Sequence, residues 1–176
     1  MNPDRFPVAF QFTMRPDCDG QPYHVTPGDA GGATAWGVTQ ATYDAYRASR
    51  GLPSRSVGNM EVEERGSIYR DMYWQPVRGD DLPAGVSLSV FDFGVTAGPR
   101  TSAKLLQRAV GVDEDGVIGP ATLAAIADQE PAVLVGRLAT AQGDYYSSLA
   151  AFDRFGRGWL ARTEARRQAA LQALAP

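Results

Sequence analysis

Apolar residues recur at helical spacing along most of this 176-residue chain, and prolines and glycines cut the pattern into short lengths. Phe6, Ala9, Phe10, Thr13 and Met14 form one stripe, so a first helix is expected over roughly residues 4–14. Pro16 stops it, because proline disfavours helical geometry at Arg15. Thr39 is placed to cap a helix that runs through QATYDAYRASR to Gly51. Asn59 is read as the cap of a further helix, whose stripe of Ile68, Tyr69, Met72 and Tyr73 ends at Trp74 before Pro76. RTSAKLLQRAVG closes on Gly111, and Pro120 and Pro131 stand at the first positions of two more helices. The second of these carries Leu134, Leu138, Ala141, Tyr145 and Leu149, and a last helix is expected to begin near Trp159. GVSLSVFDFGV is ambiguous from its own residues: its alternation suits a strand, its length and small residues a buried helix. Six to eight helices with one glycine-rich loop after the first make a mainly α protein.

That loop spans Arg15 to Thr39 and holds the only cysteine, the only histidine, three aspartates and five glycines. One cysteine excludes an internal disulfide and any multi-cysteine metal site, and with one histidine a zinc ion would need carboxylates for most ligands. No metal and no cofactor is expected. A net charge of −3 argues against a dedicated nucleic-acid binder. The charge is uneven, however. Residues 152–176 carry Arg154, Arg157, Arg162, Arg166 and Arg167 against Asp153 and Glu164. This basic end is read as a solvated helix face, with electrostatic contact to an anionic envelope as the alternative. No apolar run approaches the length of a membrane span, and MNPDRFPVAFQF has no basic segment followed by an apolar core, so no ordinary secretion signal is expected.

Four stretches in order carry a likeness. They are Asp29-Ala30-Gly31-Gly32-Ala33-Thr34, Gly37-Val38-Thr39, Ile68-Tyr69-Arg70-Asp71-Met72-Tyr73-Trp74 and Phe91-Asp92-Phe93-Gly94-Val95-Thr96-Ala97-Gly98-Pro99. In order and spacing they resemble glycoside hydrolase family 108, the phage and prophage N-acetylmuramidases of the lysozyme-like superfamily. The rest is similar to the type-3 peptidoglycan-binding segment that follows in that family. The matching residues are Leu106-Gln107, Gly111, Asp115-Gly116-Val117-Ile118-Gly119-Pro120, Thr122-Leu123, and Gly158-Trp159 with Arg162. The resemblance implies a lysozyme-like helical fold and a helix at residues 86–96. It implies a muramidase segment over 1–99 and a peptidoglycan-binding-like segment over 100–176, packed as one compact unit.

It also implies hydrolysis of the β-1,4 bond between N-acetylmuramic acid and N-acetylglucosamine, with peptidoglycan glycan strands as partner, a monomeric state and no cofactor. An endolysin of this kind is made in the cytoplasm and reaches the wall after holin-like or other non-standard release, or travels in a phage-like particle. The family's catalytic glutamate falls eleven positions after the aromatic residue that opens the first helix. Counting from Phe6 reaches Asp17, so an aspartate stands where the family has glutamate. Asp19, its rival, sits in an Asp-Gly pair that reads first as a turn. Asp29 is the expected water-side carboxylate and Thr34 its helper, since a threonine hydroxyl can orient water. Tyr23, Gly31 and Gly32 are expected against the sugar chain. Tyr73 and Trp74 are expected to stack on sugar rings or to pack in the core.

Other residues invite other readings. Cys18 with His24 suggests a cysteine peptidase, yet a cysteine beyond a helix C-terminus has its thiolate disfavoured. Asp92, in an apolar segment, is expected to be buried and met by an arginine or by backbone N–H groups. DEDG at Asp113–Gly116 reads as a turn before the Pro120 helix. Two rival functions remain: a non-enzymatic peptidoglycan-binding protein of a phage or tail-like particle, and a wall-remodelling secretion factor. Cys18→Ser is expected to keep most wall-lysing activity. Release of free amines in place of reducing sugar ends, lost in that variant, would restore the peptidase reading.

Overall fold

A computed structural model describes residues 4–15, 22–25 and 33–175. Among them are eight α-helices and one small antiparallel sheet. The chain packs as two compact units, Thr13–Asp71, and Met1–Phe12 with Met72–Pro176.

In the smaller unit, strands β1 (His24–Val25), β2 (Ala33–Ala35) and β3 (Val38–Thr39) lie in that order. Helix α2 (Gln40–Ser49) follows β3 directly, and the Thr39 hydroxyl caps it by accepting from the Thr42 N–H at 3.3 Å. Gly51, at φ +67°, takes the left-handed position just past its end. Asn59 is not a cap. It closes a 3₁₀ turn (Val57–Asn59), and α3 (Val62–Tyr69) starts two residues later at Glu61. Glu64 sets that start by reaching back to the Glu61 N–H at 3.1 Å, a bond Asn59 lies too early to receive.

A single π-helical turn (Arg70–Trp74) follows α3 and shifts the phase of the side chains. The stripe read as Ile68, Tyr69, Met72 and Tyr73 is therefore broken. Met72 is 42% exposed and Trp74 is buried in its place.

Helix α4 (Ala84–Ala97) is the centre of the larger unit. Every residue from Gly85 to Gly94 is buried, because α5 (Pro99–Val110), α7 (Pro131–Ser147) and α8 (Phe152–Gln172) all pack on it. A helix covered on all sides shows no stripe, which explains the ambiguity of GVSLSVFDFGV. At Gly85 an added Cβ would stand 2.2 Å from the Ala170 carbonyl oxygen, so α8 crosses α4 backbone to backbone there. Pro120 and Pro131 open α6 (Pro120–Ala127) and α7 as their sequence positions suggest, and Pro99 opens α5 in the same way. DEDG is a turn: the Asp115 carboxylate accepts from the Val117 N–H at 2.8 Å, and Gly116 has φ +78°. The last helix begins at Phe152, seven residues before Trp159.

Asp92 sits on α4 with no exposed surface. Arg166 Nε and Arg162 Nη2, both from α8, each meet one of its oxygens at 2.7 Å. Arg166 also donates to the Gln142 side chain of α7 at 2.8 Å, and Gln142 donates to Ser89 Oγ of α4 at 3.2 Å. The basic end is thus not a uniformly solvated face. Arg166 is fully buried and Arg162 turns inward, because the Asp92 carboxylate needs their charge. Arg167 stays near the surface, paired with Glu164. Burial alone would raise the Asp92 pKa. The charges and hydrogen bonds of Arg166 and Arg162 outweigh it and hold the carboxyl well below the usual range.

A depressed folded-state pKa means that the unfolded chain binds the proton first as pH falls. Stability from this group is complete above the unfolded value of about 4 and is lost progressively below it. Asp92→Asn is expected to cost about 3–5 kcal/mol at neutral pH by urea unfolding, since two arginines lose their counter-charge in the interior. It should also flatten the loss of stability below about pH 4.

Candidate active site

Thr34 lies half-buried on the central strand β2. The register places it opposite His24 on β1 and opposite Thr39 on β3. Directly opposed residues of antiparallel strands share a face, with Cβ atoms about 4.5–5.5 Å apart, so the three form one row. Thr39 is occupied in capping α2. His24 is exposed, with Nδ1 3.1 Å from the Pro22 carbonyl. That the single histidine lies opposite Thr34 follows from the strand register and from no local pattern of residues.

The turn from β2 to β3 consists of Trp36 and Gly37, at φ +52° and +75°. Such a two-residue hairpin needs two positive φ angles, which glycine accepts and tryptophan does so at a cost of about 1–3 kcal/mol. Two residues of α3 hold Trp36 there. The Tyr69 hydroxyl donates to its carbonyl at 2.9 Å, and the Arg65 guanidinium lies 4.5 Å from its ring centroid. Tyr69, a member of the apolar stripe, is buried and also fastens this hairpin. Sequence reasoning missed Trp36; Gly37 was the available signal for a tight turn.

Behind the hairpin, α2 and α3 are joined by Glu64. Its carboxylate accepts from the Tyr43 hydroxyl at 2.5 Å and pairs with Arg47 and Arg55. Burial would push this carboxyl up. The Tyr43 hydroxyl, the Glu61 N–H and the two arginines outweigh it and hold the pKa below the ordinary value.

Tyr23 is 52% exposed, with one edge of its ring laid against Gly58, where an added Cβ would stand 3.0 Å from the ring. Tyr73 is half-buried. Trp74 corrects the stacking expectation. It has no exposed surface, Phe6 and Phe91 pack edge-on at 5.5 and 5.6 Å, and its Nε1–H donates to Asp80 at 2.9 Å. A Cβ at Gly79 would stand 2.4 Å from the indole, so no ring face is left for a sugar. Asp17, Cys18, Asp19, Asp29, Gly31 and Gly32 lie outside the described residues. Among the described residues no group of three histidine, cysteine or acidic side chains is placed to hold a metal.

A small sheet carrying a row of one exposed histidine and two half-buried threonines, in a mainly α protein, fits the lysozyme-like fold class. The model of the glycosyl hydrolase 108 family matches residues 17–98, and that of a predicted peptidoglycan domain matches 101–164. A solved structure entitled "Structure of Brucella abortus SagA" is 37% identical, with a TM-score of 0.83. The likeness covers 97% of this chain and 96% of that one. No curated protein matches. The chain belongs to the glycosyl hydrolase 108 family and is a peptidoglycan-related glycosidase. The boundary between the two matched segments falls at the α4–α5 corner, inside the larger unit.

The strain at Trp36 can be measured. Trp36→Val is expected to lower stability by about 1–3 kcal/mol more than Trp36→Asn, because asparagine tolerates a left-handed backbone and a β-branched residue does not. Equal melting temperatures for the two variants would show that the turn is not strained.

Proposed function

We propose that the protein is an N-acetylmuramidase, cutting the β-1,4 bond between N-acetylmuramic acid and N-acetylglucosamine. Asp17 is the general acid that protonates the leaving oxygen. Asp29 is the carboxylate that activates water or stabilises the oxocarbenium charge, and the Thr34 hydroxyl orients that water. Tyr23, Gly31, Gly32 and Tyr73 line the sugar chain. The observation that carries the reading is the match to the hydrolase family, which begins at Asp17 and continues through Thr34. Residues 1–99 carry the chemistry in this reading, and residues 100–176 complete the fold around α4 as part of the same cooperative monomer. Delivery in this reading is that of an endolysin.

One feature favours a second reading. The first glutamate of the chain is Glu61, so the acid is an aspartate, one methylene shorter than the family residue. A displacement of about 1 Å at a reacting group can cost on the order of 100-fold in rate. A weak or inactive hydrolase would act as a peptidoglycan-binding part of a phage or tail-like particle, or as a wall-remodelling secretion factor.

Purified walls separate the two. The enzyme is expected to release reducing ends, Asp17→Asn to release none while melting normally, and Asp19→Asn to behave as wild type. Asp17→Glu should raise the rate, up to about 100-fold, if reach is limiting. Wall binding without reducing ends from any of these proteins would establish the non-hydrolytic reading.

A further inference from the structure

The small sheet has two unlike faces. Val25, Ala33, Ala35 and Val38 fall on one of them, where Ala35 and Val38 are buried. His24, Thr34 and Thr39 share the other, and His24 on the edge strand is exposed. Nδ1 of His24 stands 3.1 Å from the Pro22 carbonyl oxygen, which can only accept a hydrogen bond. Nδ1 therefore carries the proton of the neutral ring, and Nε2 keeps a lone pair. Among the described residues nothing bonds to that second nitrogen. β2, β3 and the Val57–Asn59 turn, which complete this layer, bring no ionisable side chain beside it. Tyr23, its neighbour in the chain, is laid against Gly58.

His24 and Thr34 are directly opposed, so their Cβ atoms lie about 4.5–5.5 Å apart on one face. Side chains that start so close can hold one water molecule between them, at about 2.7–3.2 Å from each polar atom. A threonine hydroxyl orients water but is no base at neutral pH. A neutral imidazole nitrogen can take the proton. We propose that His24 is the general base of the hydrolysis, with Nε2 taking a proton from the water that Thr34 orients. This rests on the N-acetylmuramidase reading and deepens it. As the water oxygen bonds to the anomeric carbon, the glycosidic C–O bond breaks and its electron pair stays on the leaving oxygen. That oxygen takes the proton of the general acid. The proton of the attacking water passes to His24 and then to solvent, from which the acid is protonated again. Of the two roles open to Asp29, stabilising the oxocarbenium charge is the one left to it. Direct attack by water inverts the configuration at the anomeric carbon.

Soluble glycan strands of alternating N-acetylglucosamine and N-acetylmuramic acid, read by new reducing ends, test this on the full chain. His24→Gln is expected to lower kcat about 100-fold or more, with KM little changed, and to melt as wild type. His24→Ala should lose as much and regain rate when imidazole is added. As pH is varied, that gain should follow the neutral base and not the total imidazole. Proton NMR of the fresh wild-type product should show the anomeric configuration opposite to that of the bond cut. Three results would overturn the base role and leave the hydrolase reading standing: His24→Gln cutting at the wild-type rate, a lost rate that imidazole does not restore, or a product of retained configuration. A wild type that cuts no strand would sink the hydrolase reading, and the base role with it.

Discussion

The larger unit is organised around a carboxylate that has no access to water. Asp92 lies on a helix otherwise made of small and apolar residues, and an isolated charge there would be prohibitive. Arg162 and Arg166 make it tolerable, and they come from the last helix, some seventy residues away in sequence. Gln142 completes the arrangement by joining Arg166 to Ser89, so α4, α7 and α8 meet in one polar knot inside an apolar packing. Such a knot adds little net stability compared with an apolar core, but it permits one register of the three helices and penalises others. The aromatic layer of Phe93, Tyr145, Tyr146 and Trp159 then fills the space beside it.

Much of the helical plan can be read from residues alone, and the reasons are local. Thr39, Gly51, Gly111, Pro120 and Pro131 act on their own neighbours, so their effect does not depend on the rest of the chain. The failures have non-local or unusual causes. The π-helical turn after Tyr69 changes the phase of the stripe and sends Trp74 inward, and periodicity assumes a constant 3.6 residues per turn. The inward turn of Arg162 and Arg166 depends on Asp92, which no window of twenty residues contains. The need of the buried Asp92 for a partner was legible; that two arginines of α8 supply it was not.

The candidate site shows the same division. Thr34 could be singled out from motif order, but its neighbour His24 and the strained Trp36 emerge only from strand register and backbone angles. A tryptophan at a position that favours asparagine or glycine is a local conflict between sequence and fold, and such conflicts gather where a protein does its work. Here the conflict is resolved by α3, through Tyr69 and Arg65, which makes the hairpin bearing Thr34 depend on a helix thirty residues downstream.

The bare contact between Gly85 and the Ala170 carbonyl has a consequence for how such proteins can change. A binding module joined by a linker can be shuffled between enzymes as a cassette, since neither part supplies the other's interior. Here the C-terminal helix is fitted to a notch one hydrogen atom wide in a helix of the hydrolase segment, and its arginines neutralise that helix's charge. A foreign tail would bring neither the fit nor the arginines. The two segments are bound to be inherited together, and a frameshift or nick ahead of Arg162 would strip the hydrolase segment of part of its own core.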